Sequence, residues 1–182
     1  MNERISYEES YRRLQERGHF PENAVPPIRP QLPSIQDEAP LGISFFRTFV
    51  GEEETGLIED IANMTLPRTF FGRTEVRQTS FKHTNLSESC LCWNDFIQVD
   101  FTKACLSGSD LRASLYDHVL FVQADLSGAD LRHSIFDACD FTGAVMKDVK
   151  LTHDQGRLLN LLESQRREID WQDEDGEEPE GG

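Results

Sequence analysis

The chain has 182 residues, a formal net charge of −15 and 37% hydrophobic residues, which suits one domain of ordinary size with appendages. That charge excludes direct nucleic-acid binding, which needs a basic surface to neutralise phosphates. The excess is uneven: residues 1–65 carry −6, residues 66–153 carry −2 and residues 154–182 carry −7, so the flanks are acidic and suit a basic partner.

In chain order, residues 1–18 read as a helix. Ser6 and Glu9 make a capping-box pattern, and Gly18 ends the run. The same stretch carries Glu3, Glu8, Glu9 and Glu16, unlike a basic, apolar leader. No segment has the apolar length to cross a bilayer, so the expectation is a cytoplasmic protein with no membrane partner. Residues 21–40 hold six of the eight prolines and are expected to form an extended arm. Leu41–Val50, with Ile43, Phe45, Phe46 and Phe49, needs a surface to lie on. Glu52–Met64 is expected to be a short helix with Leu57, Ile58 and Ile61 on one side. Leu41–Met64 is thus assigned as the cover of whatever follows, and 1–65 as an N-terminal helix, arm and cap.

From Leu66 the pattern changes. Every fifth residue is apolar through Leu66, Phe71, Val76, Phe81, Leu86, Leu91, Phe96, Phe101, Leu106 and on to Leu151, eighteen positions in all. At 37% hydrophobic residues such a run has a chance of roughly 10⁻⁸. Two residues before each of the last seventeen stands a small or compactly branched side chain, Asn94 excepted. A large and a small residue two apart can both point inward from an extended segment; no helix has a strict period of five. Stepping by twenty stacks like on like: Phe81, Phe101, Phe121 and Phe141 form one column, and Leu66, Leu86, Leu106, Leu126 and Met146 another. Residues 66–153 are therefore expected to be an all-β repeat solenoid with four sides per coil, coils about 4.8 Å apart, and a height of about 20 Å.

Beyond the repeat, Asp154 starts a helix expected to run over 154–168, whose Leu158, Leu159, Leu161 and Leu162 would seal the last coil. Residues 169–182 form an acidic tail. Within it Trp171, Asp173, Glu174 and Asp175 are candidate contacts for a basic partner.

Ala124-Asp125-Leu126-Ser127-Gly128, Ala129-Asp130-Leu131-Arg132-His133 and Ser109-Asp110-Leu111-Arg112-Ala113 resemble the A(D/N)LXX motif of the pentapeptide-repeat family. The resemblance covers about half of the chain. It implies a right-handed quadrilateral β-helix. It does not fix a function.

Catalytic chemistry is not expected. The interior is filled by the Phe and Leu columns, leaving no cleft for a substrate. His83, His118, His133 and His153 fall at corners, with no nucleophile at motif spacing. Cys90 and Cys92 flank inward Leu91 and face out, and Cys105 lies on an adjacent side. Only two of these thiols come close together, short of the four ligands of a structural zinc site, so no metal and no cofactor is expected. The thiols are expected to be reduced.

The outward positions hold the informative departures. Trp93, Ile97, Leu115, Leu120, Val122 and Ile135 are apolar where polar residues belong, and a contiguous apolar surface is usually covered by something. The N-terminal arm folding back, a homodimer and a partner protein are the three ways to cover it; Trp93 is the natural anchor for a partner.

Three stretches resemble pentapeptide-repeat immunity proteins of bacterial toxin–immunity pairs, including those encoded beside type VI secretion effectors. They are Leu66-Pro67-Arg68-Thr69-Phe70-Phe71-Gly72-Arg73, Leu91-Cys92-Trp93-Asn94-Asp95-Phe96 and Ile169-Asp170-Trp171-Gln172-Asp173-Glu174-Asp175. That resemblance implies a non-enzymatic inhibitor that binds a cognate toxin, of which a basic nuclease domain is the type that suits the charge. Two other readings compete: a DNA mimic acting on DNA gyrase, and a general interaction scaffold. The mimic class implies a long rod with acidic faces, whereas this column is short and its body nearly neutral.

Overall fold

The structure is a computed structural model that describes residues 4–19, 44–46, 59–72 and 74–172. Its centre is a four-sided column of parallel, twenty-residue coils. Every ladder contact within the column joins residues twenty apart: Glu75–Arg77 to Asp95–Ile97, then Leu115–Asp117, then Ile135–Asp137 on one side, and single bridges such as Asn85–Cys105–Asp125–Val145 on another. Each side is named here by an inward residue: Leu66, Phe71, Val76 or Phe81.

Inward positions are occupied as the five-residue period requires. Seventeen of the eighteen apolar residues from Leu66 to Leu151 are buried, and only Phe136 is half-buried. The aromatics form two parallel stacks. Phe81, Phe101, Phe121 and Phe141 follow one another at 5.0, 5.5 and 4.8 Å between ring centroids, and Phe96, Tyr116 and Phe136 at 5.3 and 5.2 Å. Edge-to-face contacts such as Phe96–Phe101 at 5.7 Å join the stacks across the core. Offset and edge arrangements of this kind add to simple burial because ring faces are negative and ring edges positive.

The small residues two positions earlier do more than leave room. They carry a polar ladder between coils. Ser109 Oγ donates to Leu86 O at 2.8 Å, Ser114 Oγ to Leu91 O at 3.1 Å and Ser134 Oγ to Leu111 O at 2.7 Å. The same hydroxyls accept from the coil below: Ser89 N donates to Ser109 Oγ and Ser114 N to Ser134 Oγ. Asn94, the exception in the sequence pattern, is a rung of this ladder. Its Oδ1 accepts from Thr74 N at 2.6 Å, and its Nδ2 donates to Phe71 O and Cys92 O at 3.0 and 2.9 Å. A buried amide is tolerated because each of its polar atoms has a partner.

The turns obey one rule. Every described corner from Asn63 to Asp148, two residues after an inward position, has positive φ. Glycine takes this conformation without steric cost at Gly108 and Gly128, whereas Lys103, His118 and Trp93 hold it at the left-handed region's cost of about 1–2 kcal/mol.

At the N-terminal end the structure departs from the sequence reading. Residues 59–64 are not helical: Glu59–Asp60 pairs in parallel with Thr79–Ser80, and Ile61 and Met64 are buried. Among the described residues the twenty-residue ladder therefore reaches back to Glu59 rather than starting at Leu66. The apparent helical spacing of Leu57, Ile58 and Ile61 placed Ile61 on a helix, while the five-residue phase continued through it. Among the described residues the end is covered by α1 (Tyr7–Glu16), and Ser44–Phe46 of the expected cover Leu41–Met64 lies along the edge of Phe70–Gly72. Ser6 caps α1 by accepting from Glu9 N, and Tyr11 and Leu14 are buried. Ile5 N donates to Asn63 O at 2.9 Å, and Thr65 N to Ser10 Oγ at 2.8 Å, which satisfies backbone groups that an open coil would leave bare. Of the segment Leu41–Val50, only Ser44–Phe46 is described; it pairs in parallel with Phe70–Gly72. The proline-rich arm of 21–40 lies outside the described residues.

The C-terminal end is closed by a modified fifth coil. In place of one helix there are two, α2 (His153–Leu158) and α3 (Glu163–Glu168), followed by Asp170–Trp171, which pairs with Lys150–Leu151 twenty residues earlier. Leu159, Leu161 and Ile169 are buried. Leu158 and Leu162 are not: Leu158, the last residue of α2, and Leu162, the N-cap of α3, are 84% and 63% exposed, because the break between two short helices replaces the shared inner face of one. Two glutamines finish the polar ladder. Gln155 Nε2 donates to Leu131 O and Ser134 O, and Gln165 Nε2 to Phe141 O and Ala144 O, all at 2.9 Å. Each Oε1 accepts from the backbone at its own helix start, from Thr152 N and Leu162 N. Among the described residues no helix is long and apolar enough to cross a membrane.

Candidate functional site

With the interior full, function falls to the outside. The Val76 side is the most distinctive. Among the described residues its outward charges include Glu75, Asp95, Asp117 and Asp137 against the guanidinium of Arg77, which pairs with Glu75. Among these carboxylates stand Leu115 and Ile135, register neighbours on adjacent coils, and Ile97. Ile135 is 67% exposed, while Ile97 and Leu115 are half-buried. Trp93 lies at the corner leading into this side and is 66% exposed. A hollow of about 280 Å³ is lined by Thr74, Glu75, Trp93 and Asp95. Around the opposite corner a larger hollow, about 580 Å³, is lined by residues that include Gln98, Val99, His118, Leu120 and Ala138. Asp117 lies 2.5 Å from His118 Nδ1 and holds the imidazole pKa above its ordinary value.

The six apolar positions do not form one patch. Trp93, Ile97, Leu115 and Ile135 share the Val76 side and its leading corner, Leu120 borders the larger hollow, and Val122 is half-buried further along the Phe81 side. No described residue of the N-terminal arm lies over them, since Ser44–Phe46 pairs with Phe70–Gly72 on the Phe71 side. Sequence reasoning passed over Val145, 44% exposed, and placed the two outward leucines of the cap, Leu158 and Leu162, in the seal.

Trp171 belongs to the closing coil rather than to the tail. Its indole stacks on His153 at 4.9 Å and donates to Arg166 O at 3.1 Å. It packs so tightly on Gly156 that a side chain there would collide with the ring. Asp173, Glu174 and Asp175 lie outside the described residues.

The Phe71 side carries a second cluster. Cys90 and Cys92 point outward on either side of Leu91 with their sulfurs 3.3 Å apart. Asp110 is the bridge partner of Cys90 in the next coil and brings a carboxylate within 4.8 Å of both. The twenty-residue step from Cys90 to Asp110 was visible in the sequence, but a comparison of cysteines alone missed it. The hydrogen bond from Cys92 pulls the Cys90 thiol down to about 7 and pushes that of Cys92 up. Burial pushes Cys139 up to about 11. Since the thiolate is the reactive form, iodoacetamide at pH 8 should label Cys90 before Cys139. Peptide mass mapping of a time course checks this; equal rates at the two positions would contradict the assignment.

Comparison with known proteins places this geometry. The family model described as pentapeptide repeats matches residues 77–112 and 119–153, with eight copies. Among solved structures, a pentapeptide repeat protein of the Arabidopsis thaliana thylakoid lumen is similar at 30% identity and TM-score 0.54, over 56% of this chain and 70% of its own. Rfr23, a pentapeptide repeat protein from the cyanobacterium Cyanothece, is similar at 15% identity and TM-score 0.51, over 57% of this chain and 80% of its own. HetL, a pentapeptide repeat protein involved in heterocyst differentiation regulation in the cyanobacterium Nostoc, aligns at 16% identity and TM-score 0.46. The aligned part is 47% of this chain, and it spans only 40% of HetL. No curated protein matches the sequence.

The chain is a repeat solenoid. It belongs to the pentapeptide-repeat family, whose fold is the right-handed quadrilateral β-helix. Proteins of this family are in general structural or binding proteins rather than enzymes.

Proposed function

We propose that the protein is a non-enzymatic binding module that holds a basic partner protein against the Val76 side, and that it acts as an immunity protein for a toxin of that charge. The observation that carries the reading is Ile135 and Trp93, each about two-thirds exposed, on a side whose outward charges among the described residues are four carboxylates and one guanidinium. Apolar anchors inside an acidic rim suit a surface that buries aliphatic or aromatic residues flanked by Lys and Arg. The column is rigid between coils, so little conformational freedom is lost on binding. A nuclease toxin, which must itself approach phosphates, has the required charge. The resemblance of residues 66–73 and 91–96 to immunity proteins supports the same reading.

Co-purification from the native host, followed by identification of what is retained, tests it. The expected result is a basic protein whose retention weakens with salt and falls at least about thirtyfold for Trp93→Ala, as for an interface anchor. Alanine already occupies the same kind of corner at Ala113 and Ala138, so this variant keeps the fold. Retention unchanged by Trp93→Ala and Ile135→Asp would remove the Val76 side from the proposal. A change in gyrase supercoiling by the purified protein would favour the DNA-mimic reading instead.

A further inference from the structure

We propose that Cys90, Cys92 and Asp110 form a binding site for zinc on the Phe71 side of the column. The argument rests on geometry. Leu91 is fully buried, so the two flanking side chains leave the same strand in the same direction, and their sulfurs stand 3.3 Å apart. Two thiolates on one tetrahedral zinc, each at about 2.3 Å, are about 3.8 Å apart. Small torsional changes at two outward side chains supply the difference. A disulfide between them is the less favourable outcome. An extended strand sets residues two apart at about 6.6 Å between Cα atoms, at the upper limit of what a disulfide spans.

The third group comes from the next coil. Asp110 is locked in register with Cys90 by the ladder, and all three ligand atoms lie within 4.8 Å of one another. The three residues are half-buried, which keeps the cluster reachable by an ion while limiting competition from water. Two sulfurs and one oxygen select a borderline-soft ion such as zinc over magnesium or calcium, which take all-oxygen sets. Three protein ligands leave a fourth position for water or for a group from a bound protein.

One neighbour opposes the ion. Arg112 donates to Asp110 through Nε at 2.9 Å and Nη2 at 2.7 Å, so metal and guanidinium compete for the same carboxylate. Arg112 has an alternative, the Asp130 carboxylate 3.8 Å away on the following coil. Metal entry therefore shifts Arg112 along the column, and removing Arg112 helps the metal. A merely structural pair of cysteines has no such dependence.

The test uses the full chain, reduced with a phosphine, and zinc alone, read by competition with a chromogenic chelator and by the visible spectrum of the cobalt-substituted protein. The expected result is one equivalent per chain with thiolate-to-cobalt bands. Cys90→Ser and Cys92→Ser should each weaken binding by at least about tenfold, and so should Asp110→Asn, while Cys105→Ser and Cys139→Ser leave it unchanged. Arg112→Ala should tighten binding by up to about fivefold, the value of an exposed ion pair. Circular dichroism identifies any variant that fails to fold, and the gain in Arg112→Ala does not depend on those variants. Absence of stoichiometric binding, binding that survives loss of both cysteines, or no gain in Arg112→Ala would overturn the proposal.

Discussion

Phe101→Ala is expected to destabilise the protein by about 3–5 kcal/mol, measured by chemical denaturation. Phe101 is fully buried and stacked on both faces, on Phe81 at 5.0 Å and Phe121 at 5.5 Å, with the edge of Phe96 at 5.7 Å. Truncation removes a whole ring from a narrow core. The surroundings cannot close over the gap, because backbone bonds such as Phe81 N to Asp100 O and Phe101 N to Leu120 O, at 2.8 and 2.7 Å, fix the spacing of the coils. The cost thus falls at the upper end, where cavities stay open. Phe141→Ala is the internal comparison. That ring has a stacked neighbour on one face only, Phe121 at 4.8 Å, and should cost less. Equal losses at both positions, or a loss below about 1 kcal/mol at Phe101, would contradict a rigid column.

Asn94→Ala should cost about 2–4 kcal/mol, as expected when buried backbone partners lose their hydrogen bonds. Three backbone groups lose a bond at once: Thr74 N, Phe71 O and Cys92 O. Alanine fills the space without replacing any of these bonds. Asn94→Ser should recover most of the loss, because serine does this work at the two following rungs: Ser114 Oγ accepts from Asn94 N and donates to Leu91 O, and Ser134 Oγ accepts from Ser114 N and donates to Leu111 O. Thermal unfolding of the two variants side by side distinguishes a hydrogen-bonding role from a steric one. If alanine and serine behave alike, the ladder is not what stabilises this position.

The body of the fold was legible because one rule governs it. A large inward residue every five and like on like every twenty leave few other ways to bury Phe81, Phe101, Phe121 and Phe141. The ends were harder to read, because there the chain stops obeying that rule alone. Ile61 and Met64 are in phase, but Glu59 and Met64 occupy positions that elsewhere hold small residues, and a helical pattern competed for the same apolar side chains. At the other end Leu158, Leu159, Leu161 and Leu162 looked equivalent as a cluster. Only the break between α2 and α3 decides that Leu159 and Leu161 turn in while Leu158 and Leu162 turn out. Gln155 and Gln165 gave no compositional signal, since their role depends on carbonyls about twenty residues away. For the surface, the apolar positions were recognisable singly. Their division between the Val76 side and the Phe81 side follows from the corners.

The closing coil keeps the twenty-residue register even though two of its sides are helical, with Trp171 beneath Leu151 and Asp170 beneath Lys150. The lid therefore docks on the same backbone template that any preceding turn would present. Duplication of a twenty-residue block within the body would lengthen the molecule by one storey, about 4.8 Å, and deliver the lid unchanged to the new top. Growth and shrinkage of such a chain by whole storeys need no redesign of its termini, and the area offered on each wall scales with the number of storeys.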